Sequence, residues 1–155
     1  MARSTFVYVT YIRTTPQKLW SALTTDAEFM KQYWFGTHCQ SEWTPGSPWK
    51  MIHPDGRVTD LGEIVEAAPP RRLVIRWQNQ FRPELKAEGE SLCTIELEPV
   101  EAAVKLSITH TIDREPSKFI EAVSGGWPKI LSNLKSLMES GSAVLVDPYP
   151  AGKQQ

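Results

Sequence analysis

Apolar residues recur along this chain at two periods, and the changes between them mark out its elements. Residues 5–13 (Thr5-Phe6-Val7-Tyr8-Val9-Thr10-Tyr11-Ile12-Arg13) are dense in β-branched and aromatic types and read as a strand. Thr15 followed by Pro16 has the form of an N-cap with proline at the first helical position; Leu19, Trp20 and Leu23 give that short helix its buried side. Thr25-Asp26 restarts a second short helix through Phe29, Met30 and Tyr33. Six strands are then predicted, over Thr37–Thr44, Trp49–His53, Val58–Ala67, Arg72–Gln78, Glu90–Glu98 and Val104–Ile112. Pro45-Gly46, Pro54-Asp55-Gly56 and Pro69-Pro70 punctuate them as turns. In the last strand Val104, Leu106, Ile108, His110 and Ile112 share one parity, with Lys105, Ser107, Thr109 and Thr111 opposite. The segment Asn79–Gly89 has no clear period, contains Pro83 and reads as a loop over one end of the sheet.

The period returns to helical near Ser117. Phe119, Ile120 and Val123, then Ile130, Leu131, Leu134, Leu137 and Met138, form one apolar face. Between the two groups stands Gly125-Gly126-Trp127-Pro128, where the helix is expected to kink or break. The order is therefore β-α-α-β6-α. It describes an α+β domain with a curved antiparallel sheet of about seven strands and a long C-terminal helix laid on it. A helix across a twisted sheet leaves a wedge of space between the two, which is the expected ligand cavity. Residues 1–140 form the domain, and 141–155, with Gly141, Pro148, Pro150 and Gly152, an extended tail that Val144, Leu145, Val146 and Tyr149 could pack down.

The chain has 155 residues and a formal net charge of −1. One domain follows from the length, and no global field points to nucleic acid or an anionic membrane. No run reaches membrane-spanning length and no apolar leader opens the chain, so the protein reads as soluble and cytoplasmic, with Cys39 and Cys93 as free thiols.

Six tryptophans, Trp20, Trp34, Trp43, Trp49, Trp77 and Trp127, are the compositional anomaly. At least half are expected in the core, and the rest suit the lining of a small-molecule pocket. Parity and helix face select Trp34, Met51, Trp77, His110, Phe119, Val123, Trp127 and Ile130 as ligand-binding candidates, with Phe81 closing the mouth from the long loop. His110 could orient a ligand oxygen or act as a base; the alternative is a core histidine satisfied by its neighbours. Asp60 could offer a carboxylate inward, but an exposed sheet edge is the more economical place for it. His53 is expected half-exposed beside its turn. Arg71, Arg72 and Arg76 should lie on the outer face, balanced by Glu63, Glu66 and Glu84. His38 and Cys39 are adjacent on a strand and point oppositely, and no CxxC, HxxxH or HExxH occurs, so neither a metal nor a cofactor is expected. No GxSxG, P-loop or GxGxxG is present, and Cys93 among apolar strand residues reads as a buried, inert thiol.

Three stretches, Thr15-Pro16-Gln17-Lys18-Leu19-Trp20-Ser21-Ala22-Leu23-Thr24, Pro69-Pro70-Arg71-Arg72-Leu73-Val74-Ile75-Arg76-Trp77 and Gly126-Trp127-Pro128-Lys129-Ile130-Leu131-Ser132-Asn133-Leu134, in this order and spacing, resemble the START-like, or SRPBCC, superfamily. Within it the chain is similar to the branch named after the activator of Hsp90 ATPase homologue 1, over roughly residues 5–139. The resemblance implies a helix-grip fold, the sheet wrapped around the last helix. It also implies proteins that bind lipids, sterols, polyketides and other apolar molecules, with some cyclases and hydrolases among them. The Hsp90-activating members carry an additional N-terminal domain without counterpart in these residues, which weighs against a co-chaperone role. The expectation is a non-enzymatic binder of a small apolar or amphipathic molecule. Acid–base chemistry in the same cavity and a protein-interaction module stand as alternatives, and the sheet's edge or outer face offers a surface for a homodimer.

Overall fold

The computed structural model describes residues 2–146. The elements are β1 (Ser4–Ile12), α1 (Pro16–Leu23), α2 (Ala27–Tyr33), β2 (His38–Ser41), β3 (Pro48–Ile52), β4 (Val58–Ala68), β5 (Arg72–Asn79), α3 (Pro83–Lys86), β6 (Ser91–Val100), β7 (Ala103–Ile112) and α4 (Lys118–Ser140). Seven strands form one sheet in the order β1-β7-β6-β5-β4-β3-β2, every neighbouring pair antiparallel. The α+β reading and the helix-grip architecture hold.

Local chemistry accounts for the helix starts. The Thr15 side chain accepts from the Lys18 amide with Pro16 at the first turn, Asp26 accepts from Phe29, and Ser117 from Ile120. Three boundaries differ from expectation. The strand expected over Thr37–Thr44 stops at Ser41. The Ser41 and Ser47 hydroxyls take the amides of Trp43 and Thr44, and Trp43 turns to φ 59°. The loop Asn79–Gly89 contains the one-turn helix α3, because Pro83 opens it, Leu85 is buried beneath it and the Asn79 side-chain Oδ1 accepts from the Phe81 and Arg82 amides. Of the kink or break expected at Gly125–Pro128, the break does not occur: α4 is continuous, with Pro128 inside it.

Close approach fixes β4 on β5. A Cβ on Gly62 would stand 1.8 Å from the Arg76 carbonyl oxygen and 3.2 Å from the Trp49 ring, so only glycine fits. The register of β4 slips between Ile64 and Glu66, so Ile64 is buried while Glu66 is exposed. On the outer face Arg72 pairs with Glu66 and Glu96, and Arg76 with Glu63 and Glu90, as the arginine reading anticipates. Glu84 instead pairs with Arg82.

The core divides by chemistry along α4. At one end Lys135 donates to the Tyr11 carbonyl, opposite Lys105, so the C-terminal half of α4 lies over the Val104 end of β7. That end is aliphatic, with Ile12, Leu97, Val104, Leu106, Leu131 and Leu134 buried. The other end, around His110, is aromatic. α4 runs close to β1 and α2 and makes little close backbone approach to the central strands. Large rings bridge that gap.

The start of the tail is held by a buried polar residue on α4. Asn133, fully buried, accepts from the Val144 amide (3.0 Å) and the Leu145 amide (2.7 Å) and donates to the Leu145 carbonyl (2.8 Å). Val144 and Val146 are nonetheless exposed, so side-chain packing is not what holds this segment. Tyr149 and the rest of the tail lie outside the described residues.

Candidate functional site

β5, β7, α2 and α4 bring five of the nine ligand candidates into one group of touching rings. Trp77 lies 4.9 Å from His110 and 5.9 Å from Trp127, His110 lies 5.1 Å from Phe119, and Trp34 lies 5.5 Å from Trp127, centroid to centroid. Trp49 joins at 4.7 Å from Trp77. Trp77, His110, Phe119 and Trp127 are buried, while Trp34, at the end of α2, is half-buried and forms the rim. Met51 is buried in the same core, and Val123 and Ile130 pack against it half-buried. Phe81 is not brought in: it is exposed beneath the Arg57 guanidinium, 4.5 Å from its ring centroid.

These rings stand in the wedge expected as a cavity, packed against one another. Open clefts lie elsewhere: about 420 Å³ between α1 and α2 beside Met138, and about 700 Å³ beside Cys39, Trp43, Trp49 and the α1–α2 turn. Three of the six tryptophans (Trp49, Trp77, Trp127) are core, as expected of at least half.

His110 carries a fully assigned proton network. The Trp127 indole N–H can only donate, and it donates to His110 Nδ1 (3.2 Å). Nδ1 is therefore unprotonated, and the neutral ring carries its proton on Nε2, which donates to Ser91 Oγ (2.9 Å). Ser91 in turn donates to the Trp77 carbonyl (2.9 Å). Burial lowers the His110 pKa from 6.5 to about 3, consistent with a neutral ring. Both ring nitrogens are engaged. With Trp127 in place His110 has no lone pair to offer a substrate, which argues against general-base chemistry.

Asp60 is buried, contrary to the exposed-edge expectation. Its carboxylate accepts from Trp77 Nε1 (2.7 Å) and, more weakly, Asn79 Nδ2 (3.4 Å). Burial raises the carboxyl above its ordinary value against the opposing pull of Trp77, Thr59 and Asn79. The sequence leaves the facing of Asp60 open and favours an exposed edge; the indole N–H that makes its burial tolerable comes from β5. Trp49 Nε1 is buried with no well-formed hydrogen bond; the soft Cys39 sulfur is the group it bears on. Cys39 and Cys93 are free and buried, and burial raises both thiols far above their ordinary range, which disfavours the reactive thiolate. His53 sits half-exposed on Asp55 beside its turn, as expected. Among the described residues no three His, Cys, Asp or Glu side chains converge to hold a metal, and no helix is long and apolar enough to cross a membrane.

An antiparallel sheet gripping one long C-terminal helix defines the helix-grip class. Within it the chain belongs to the family of activator of Hsp90 ATPase homologue 1-like proteins, which it matches over residues 13–139. Solved structures show the same fold at low identity. A protein from Mesorhizobium loti superposes with a TM-score of 0.74 at 21% identity, covering 88% of this chain and 97% of that one. The Aha1 dimer from Colwellia psychrerythraea gives 0.71 at 21%, covering 89% and 98%. An Hsp90 activator from Plasmodium falciparum gives 0.69 at 23%, covering 86% and 94%. No curated protein matches the chain.

Proposed function

We propose that this protein binds a small, planar, apolar or amphipathic organic molecule, without catalysis, in the region between α4 and strands β5 and β7. The observation that carries the reading is the convergence of Trp34, Trp77, His110, Phe119 and Trp127 from four elements onto one ring group. α4 stands off the central strands there, and the space is spanned only by side chains that can rotate. In this reading the rings close the site when it is empty, Trp34 sits at its edge, and His110 is the one polar anchor within it. The engaged nitrogens of His110 favour binding over acid–base catalysis. The test is native mass spectrometry of the purified protein beside denatured spectra, followed by titration of any recovered molecule against wild type and Trp34→Ala. A stoichiometric mass whose affinity falls at least tenfold in the variant supports the site; unchanged affinity places the molecule elsewhere and overturns it.

A second reading, a protein-interaction module or homodimer, is favoured by one observation. β1 is an edge strand, and Val7, Val9 and Tyr11 on its outer face are 58%, 43% and 50% exposed. One structural relative is described as a dimer. Sedimentation of wild type beside Val9→Lys tests it: a dimer abolished by the lysine supports pairing through β1, and a monomer at high concentration excludes it. A cytoplasmic location accords with both readings.

A further inference from the structure

α4 is unbroken, yet its middle is built from the residues that hold a helix least well. Gly125 and Gly126 each weaken a helix interior relative to alanine. Neither is demanded by packing, since a Cβ at either position would meet nothing within 4 Å, and neither adopts a positive φ. Pro128 follows and removes the amide that would bond the Ser124 carbonyl. Three weakening choices within four residues, with no steric reason for two of them, mark a joint.

The segment ahead of the joint is fastened at its far end by one side chain from outside the helix. Glu88, in the turn after α3, accepts from the Ser117 hydroxyl (2.6 Å), the Lys118 amide (2.7 Å) and the Phe119 amide (3.3 Å). These bonds satisfy helix-end amides and suit the positive end of the helix dipole. Between latch and joint, the segment carries Phe119, Ile120 and Val123. Trp127 lies in the joint itself, its indole N–H on His110 Nδ1.

We propose that residues 118–127 form a hinged lid, latched by Glu88 and turning at Gly125–Pro128, and that the Trp127 indole is a built-in stand-in for the ligand. The inference rests on the binding reading above and narrows it. When the lid turns, Trp127 leaves and His110 Nδ1 becomes a free acceptor in an apolar, ring-walled space. The molecule that replaces the indole has the same chemistry: a flat aromatic body with one hydroxyl or N–H donor at its edge. His110 is then the group that distinguishes a donor-bearing ligand from a purely apolar one.

Hydrogen exchange of the full chain tests the lid without any ligand. Amides of 122–127 are expected to exchange at least tenfold faster than those of 131–137 in the same helix. Gly125→Ala/Gly126→Ala should slow the first group by about tenfold, from the helix propensity of two alanines, and leave the second unmoved. Glu88→Ala should speed the first group alone. Equal protection of both groups in the wild type, or no response to either variant, overturns the lid. The stand-in is tested with 2-naphthol against 2-methylnaphthalene as probes. Binding of 2-naphthol at least tenfold tighter, with association slowed in the double-alanine protein, supports it. Equal affinity for the two overturns the donor-specific anchor while leaving apolar binding intact. If neither binds, the binding reading fails at this site, whatever the lid does in exchange.

Discussion

Acid should destabilise this protein through His110, and the size of the effect follows from its surroundings. The ring is buried, neutral and bonded at both nitrogens, and its pKa lies at about 3 against an ordinary 6.5. As pH falls below 6.5 the unfolded chain takes up a proton on this histidine, while the folded chain does not until pH approaches 3. A base whose folded pKa is depressed therefore loses stability as pH drops across that window, and none above it. A full pH unit inside that window is worth about 1.4 kcal/mol, so between pH 6.5 and 4.5 the loss from this one group is about 2 kcal/mol, a large share of a small domain's total.

The measurement is a difference, because other groups titrate in the same range. Asp60 works in the opposite sense: its carboxyl is raised by burial, so folding takes up a proton there as pH falls. Comparison with His110→Gln isolates the histidine. Glutamine can accept from the Trp127 N–H and donate to Ser91 Oγ, it does not titrate, and Asp60, His38 and His53 are common to both proteins. At pH 7 the variant should be less stable by about 1–3 kcal/mol, from imperfect replacement of two buried hydrogen bonds. By pH 4.5 that gap should close or reverse, the wild type having lost about 2 kcal/mol relative to the variant. Urea unfolding at pH 7, 5.5 and 4.5 reads it directly. A gap that stays constant across these values would refute the assignment of a neutral, inaccessible ring.

Three further substitutions probe separate parts of the construction. Trp127→Phe keeps a ring but leaves His110 Nδ1 without a donor, and should cost about 1–3 kcal/mol in thermal or urea unfolding; no loss would mean the indole bond contributes nothing. Gly62→Ala places a methyl against the Arg76 carbonyl and should destabilise by more than about 4 kcal/mol, so a soluble variant within 1 kcal/mol of wild type would contradict the β4–β5 approach. Asn133→Ala removes the group that holds Val144 and Leu145; limited proteolysis should then cut within 142–146 several-fold faster while the sheet stays intact, and unchanged cleavage would show that other contacts hold this segment.

What the sequence made legible was whatever short-range pattern decides. Strand alternation put His110 among inward apolar residues, and the caps at Thr15, Asp26 and Ser117 lie beside the helices they start. The features it hid are set by partners far along the chain. Asp60 reads better as an exposed edge residue, because its burial depends on an indole N–H 17 residues away. Asn133 stands among the apolar positions of α4, where an amide looks like an interruption until the backbone of 144–145 arrives to use it. Glu88 reads as one more surface acid, because its three donors are 29 to 31 residues on. Nor could periodicity reveal that these rings meet across the wedge: parity says which side chains point inward, while ring size against the stand-off of α4 says whether they touch.

That meeting of rings separates two tasks that one core often has to share. At the Val104 end, β-sheet aliphatics and the C-terminal half of α4 interlock, and close-packed branched side chains tolerate little rearrangement. At the His110 end, flat rings meet at tilted angles, centroids 4.7 to 6.4 Å apart, with Trp34 half-exposed at the rim. Such contacts depend on orientation, and a ring can exchange one neighbour for another of similar shape. Pro128 falls between the two halves of α4, just after the last aromatic residue and just before Ile130, Leu131 and Leu134. The lid proposed above would therefore turn at the N-terminal half of α4 and leave the aliphatic half in place. On the binding reading proposed above, this division would let the interior stay filled without a ligand and open at its aromatic end to admit one.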